Sequence, residues 1–258
     1  MKEGVSLFTV IDLKNGEKSK LKRMFQYFRK ADLNITERSV PYGESFFVCE
    51  AKHHRGKIPW KEIEENTQNK NFILPFELKG IATLKEFEPK VLPKLMLFNS
   101  ALDYIEKLNL PPSEMRFTLV DDEGIFREKL EDVLKLASII TVVTKKEEKY
   151  NALSVRLFET YGISLMIRSD YNEAKYENSF LFDYKGDRIP LSYKGTAFSK
   201  EKKHLLNGKT LAPGGFDLPS EYEKLWRKNT DKMQFASALF ELSNVSDLQN
   251  LRFNELCS

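Results

Sequence analysis

The sequence predicts an α/β fold, and three of its features carry that prediction. Residues 115–120 (MRFTLV), 138–144 (SIITVVT) and 163–167 (ISLMI) are short apolar runs separated by amphipathic segments at 125–137 and 147–161. A β-α-β-α-β order with right-handed crossovers requires a parallel sheet, so the C-terminal half is expected to be Rossmann-like. Residues 1–88 instead mix short strand-like runs with turns and helices, the pattern of an α+β unit. Between the two, Pro89, Pro93, Pro111 and Pro112 bracket a single strong helix. That punctuation predicts a connector over 89–112, with a second unit over 113–258.

Each element follows from local pattern. Residues 5–13 (VSLFTVIDL) are a β-branched and aromatic run closed by Asn15-Gly16, a strand and its turn. Residues 19–31 place Leu21, Met24, Phe25 and Phe28 at helical spacing with Lys and Arg opposite. Residues 35–40 and 44–52 read as strands joined at Pro41-Tyr42-Gly43. Pro59 suits a helix first turn, so a short helix follows it. Residues 72–74 form a further short strand. Over 93–108, Leu95, Phe98, Leu102 and Ile105 share one helix face, and Pro111-Pro112 prevents continuation. In the second half, helix 125–137 presents Phe126, Leu130, Val133, Leu134 and Ala137. Helix 147–161 meets its stop at Gly162. Residues 179–184 and 188–193 are expected to be strands around Lys185-Gly186-Asp187, and 195–215 an irregular polar stretch. Residues 231–242 form the last helix, and Trp60, Trp226, Tyr222 and Phe235 are expected to pack as core aromatics.

Composition narrows the function classes. The 258 residues are 41% hydrophobic, enough for a substantial core and against disorder. Lys and Arg total 41 against 38 Asp and Glu, a net charge of +3, which points to neither nucleic acid nor an acidic membrane. The two cysteines, Cys49 and Cys257, are too far apart to read as a disulfide framework, and a reducing cytoplasm is expected. Cys257 is penultimate, on an expected mobile tail. The N-terminal run meets Asp12 and Asn15 too early for a signal-peptide apolar region. No apolar run approaches the ~18 residues of a membrane span.

The turn after the first C-terminal strand holds the most chemistry. A dinucleotide fold places G-x-G-x-x-G there so that backbone N–H groups reach a pyrophosphate. Here the turn reads Asp121-Asp122-Glu123-Gly124, with one glycine and three carboxylates. Like charges at ~4 Å repel by about 1 to 4 kcal/mol, which disfavours a pyrophosphate. Asp121, Asp122 and Gly124 remain the cofactor-binding candidates, with Lys145 and Lys146 after the second strand suited to a 2′-phosphate. Without a ligand, Asp121 and Asp122 are expected to cap the helix that follows, where the dipole favours a carboxylate.

VDDEGIFREKL also resembles the opening of a response-regulator receiver domain. The resemblance implies that Asp121 and Asp122 hold Mg²⁺ beside a phosphorylatable aspartate after the third strand, Asp170. Other constellations are incomplete. Cys49, His53 and His54 offer three zinc ligands where a structural site takes four, and are read as an ordinary strand end. Three histidines and no G-x-S-x-G give no support to nucleophilic catalysis. Lys200–Lys203 and Lys209 with Pro213-Gly214-Gly215 form a basic loop, read as a solvated face. The leading expectation is a non-catalytic or regulatory soluble protein whose Rossmann-like domain lacks the phosphate loop. The alternative is an enzyme that holds a nucleotide or phosphorylated small molecule in a crevice between the halves.

Overall fold

The computed structural model describes residues 7–14, 32–52, 58–80, 82–170 and 179–258. The helix expected over 19–31, the Asn15-Gly16 turn, His53 and His54 lie outside the described residues. The chain forms two compact units, Met1–Pro93 with Leu218–Gln249, and Lys94–Asp217 with Asn250–Ser258. The architecture is α/β, with a mixed sheet in the first unit and a mostly parallel sheet in the second. No helix among the described residues is long and apolar enough to cross a membrane.

In the first unit the strand order is β2-β3-β1-β4, with β1 Thr9–Lys14, β2 Asp32–Arg38, β3 Phe46–Lys52 and β4 Phe72–Ile73. β2 runs antiparallel to β3, while β1 runs parallel to both β3 and β4. The β2–β3 connection passes through Tyr42, at φ 58°, and Gly43. A Cβ on Gly43 would stand 2.7 Å from Ser243 O and 2.6 Å from Val245 Cγ2, so no side chain fits there.

Strand alternation gives β1 two buried faces. On one, Ile11 packs with Cys49, Phe72 and Ile63 of α1, Trp60–Thr67. On the other, Phe8 stacks on Phe46 at 4.8 Å between centroids, and Phe235 meets Phe46 edge-on at 5.7 Å. Phe235 belongs to the late helix Lys232–Glu241, capped by Asp231, whose carboxylate accepts the Gln234 N–H at 3.0 Å. Of the four expected aromatics, Tyr222 at 1% and Phe235 at 0% exposed are core, while Trp60 and Trp226 are half-buried, Trp60 packing against the Ile11 cluster.

The second unit holds a seven-stranded sheet in the order β11-β10-β9-β8-β5-β6-β7. β5 Arg116–Val120, β6 Ile139–Val143 and β7 Leu165–Arg168 are adjacent and parallel, as the apolar runs predict. β8 Ser179–Phe182 pairs with the other side of β5, also in parallel. α2, Leu92–Lys107, places Phe98 against Phe117, Phe126 and Phe182, at 6.0, 4.7 and 5.2 Å between ring centroids. The helix after β6, α4, is Glu148–Tyr161 and ends at Gly162 with φ 69°, the left-handed stop its position predicts.

Four expectations need correction. The segment 125–137 is not one helix. A 3₁₀ turn, Arg127–Lys129, leads into a single α-turn and a half, α3, Leu130–Leu134. At its start the Phe126 N–H is instead drawn to Asp121, as described below. Residues 188–193 form turns, not a strand. Pro190 has no N–H for a ladder, and the Arg188 N–H bonds Asp183 Oδ2 at 2.7 Å. The stretch 195–215 is not irregular throughout: it supplies β9 Thr196–Phe198 and β10 Lys209–Pro213, parallel to each other and continuing the sheet from β8. Runs of three and five residues are too short to show a period. The C-terminal tail pairs as β11, Leu256–Cys257, antiparallel to β10 with Cys257 opposite Ala212. The helices α5, Ser220–Glu223, and α6, Lys232–Glu241, belong to the first unit.

Glu241, the last residue of α6, serves the start of α2. Its carboxylate accepts the N–H groups of Lys90, Val91 and Leu92 at 2.9 to 3.1 Å. Helix N-terminal donors have no partner within their own helix, so a side chain 150 positions away fills that role for Val91. Glu241→Ala is expected to lower stability by about 1 to 3 kcal/mol, read from the urea midpoint, with Glu241→Gln losing less because one acceptor oxygen remains.

Candidate functional site

The strand order reverses at β5: the chain leaves it toward β6 on one side and returns to β8 on the other. In open parallel sheets, the carboxyl ends of the strands at such a reversal form the crevice where ligands sit. The residues there are Asp121 to Gly124 after β5, Thr144 to Lys146 after β6, and Asp183 to Arg188 after β8.

Asp121 is 4% exposed. Its Oδ1 accepts the N–H groups of Glu123 at 3.1 Å and Gly124 at 2.8 Å, and its Oδ2 accepts Phe126 N–H at 2.9 Å. Tyr150 Oη donates a fourth hydrogen bond to Oδ2. Tyr150 is fully buried on α4, and burial first, then the Asp121 charge, push its phenol far above the usual tyrosine range. The hydroxyl therefore stays a donor at all ordinary pH. Gly124 closes the turn at φ 75°, and a Cβ on it would stand 3.0 Å from Lys149 Cδ. Asp121 thus holds its own turn closed. It does not cap α3, whose N-cap is Lys129 with no side-chain bond.

Asp122 ties the three strand ends together. Its Oδ1 accepts Lys145 N–H at 2.7 Å after β6, and its Oδ2 takes Arg188 Nη2 at 2.6 Å from the β8 loop. Asp183, 4% exposed, binds the Arg188 backbone N–H. Thr144, wholly buried, accepts Lys146 N–H at 3.1 Å. On the rim, Lys94 Nζ lies 2.7 Å from Glu123 Oε2, and Lys149 Nζ donates to Glu123 O at 2.5 Å. The Lys94 hydrogen bond holds the Glu123 carboxyl below its ordinary value, helped by the Lys149 and Lys185 charges. A depressed carboxyl adds stability above its unfolded pKa and loses it as pH falls through the folded value. Glu123 is 53% exposed, so screening keeps this small.

The remaining space is a cavity of about 70 Å³ lined by Lys94, Asp122, Glu123, Ile125, Tyr184 and Lys185. Small-molecule sites run to about 300–1,000 Å³, so this cavity suits water or a small ion. Of the candidates from sequence, the structure brings Asp121, Asp122, Gly124 and Lys145 to one crevice, with Lys146 bonded beside them. Asp170 is not brought there. It follows β7, and β6 lies between β7 and β5, a separation of roughly 10 Å in strand spacings. Among the described residues no group of three or more His, Cys, Asp or Glu is arranged to hold a metal ion.

Cys49 is fully buried in β3, and desolvation pushes its thiol up to about 12. The lysines of the basic loop go to separate partners: Lys203 to Gly186 O at 2.8 Å, Lys202 to Ser258 O at 2.6 Å, and Lys209 to Tyr104 Oη. Sequence reasoning missed Tyr150, Asp183 and Arg188. Tyr150 carried a signal, since it shares the apolar face of its helix with Leu153 and Leu157 and brings a hydroxyl into the core. Arg188 carried none, because its role depends on β8 lying beside β5.

No family model, curated protein or solved structure matches this chain.

Two outcomes test this geometry. Asp121→Ala, which strands three backbone donors and a phenol, is expected to cost about 2 to 4 kcal/mol, and Tyr150→Phe about 1.5 to 3 kcal/mol. Mg²⁺ is expected to leave the melting temperature of the wild type and of Asp121→Asn unchanged. A wild-type Mg²⁺ shift that the variant loses would restore the ion-site reading. In native protein, iodoacetamide is expected to label Cys257 and spare Cys49, and elemental analysis to find no stoichiometric zinc.

Proposed function

We propose that the second unit is a Rossmann-like domain serving a non-catalytic, regulatory role in the cytoplasm, and that its first turn takes no dinucleotide. One observation carries this reading. The N–H groups of Glu123, Gly124 and Phe126 are directed at the Asp121 carboxylate. In a dinucleotide fold the equivalent turn directs such groups at a pyrophosphate. Here the chain supplies its own anion at that place. A ligand phosphate would have to displace a buried carboxylate with four hydrogen bonds, and would meet Asp122 and Asp183 beside it.

The chemistry of the crevice supports the same reading. Acid–base or nucleophilic catalysis needs a group whose lone pair or proton is directed at a substrate. Asp121, Asp122 and Asp183 direct theirs at the chain's own N–H groups and at Arg188. The strand ends are held by paired groups, which suits a rigid scaffold that presents its surface.

A thermal-shift screen with NAD, NADP, nucleotides and sugar phosphates tests the proposal. No saturable stabilisation is expected. A ligand present at 100 times its dissociation constant adds about 2.7 kcal/mol, so a saturable rise in melting temperature with any of them would overturn it.

A further inference from the structure

We draw no further inference here: the strongest candidate, the side-chain cluster of Asp12, Lys14, Glu50 and Arg227 at the carboxyl ends of β1 and β3, holds its two carboxylates on the chain's own two cations at 3.1 to 3.8 Å, and both strands run on into residues outside the described ones, so nothing in the structure shows what it would bind or what covers it.

Discussion

A carboxylate buried at the end of a strand must find donors or destabilise the fold by several kcal/mol. Asp121 meets that demand by turning the chain back on itself, and much of the second unit depends on how it does so. Bonding the Glu123, Gly124 and Phe126 N–H groups fixes a turn that regular helix geometry would not give. The Phe126 ring, held at that turn, lies 4.7 Å from Phe98 of α2 and 5.1 Å from Phe182 of β8, so the same turn meets the aromatic cluster between helix and sheet. The bond from Tyr150 anchors α4 to the same point. One side chain thereby links a strand, a turn, a helix and an aromatic core.

The same constraint shapes what the crevice can receive. Reversal of strand order at β5 creates a place for a ligand in any parallel sheet. Here the carboxylates at that place bond the chain's own donors. Arg188 bridges the β8 loop to Asp122 through Nη2, while its buried Nη1 has no hydrogen-bond partner among the described residues. Arg188 and Asp122 are 24% and 39% exposed, so solvent screening limits what this pair contributes. A ligand larger than the cavity of about 70 Å³ would have to replace these interactions.

How much of this was legible in the sequence differs by element. The three apolar runs at 115–120, 138–144 and 163–167 reported themselves by composition, because strands covered on both faces are mostly apolar. Gly162 reported the end of α4, because a left-handed residue after a helix is most often glycine. β9 and β10 did not: they are short, and their burial comes from neighbours on either side in the sheet. The segment 188–193 carried alternating apolar residues, yet Pro190 and the pull of Asp183 on the Arg188 N–H made it a turn. At the site, the acidic turn was visible as unusual chemistry, and the expectation that it takes no pyrophosphate rested on charge. Its true partners were not visible. Asp121 bonds residues two, three and five positions ahead, where a helix cap bonds the first turn of a helix. Asp122 and Arg188 meet only because β8 sits next to β5, a fact of topology that no local window contains.

Amide hydrogen exchange at Glu123, Gly124 and Phe126 tests the central claim most directly. If the Asp121 carboxylate holds these N–H groups as described, they exchange as slowly as the amides of β5 and β6, although they lie in a turn. Exchange of all three at the rate of an unprotected loop would contradict the account, because the turn would then be open in solution and its donors available to a ligand.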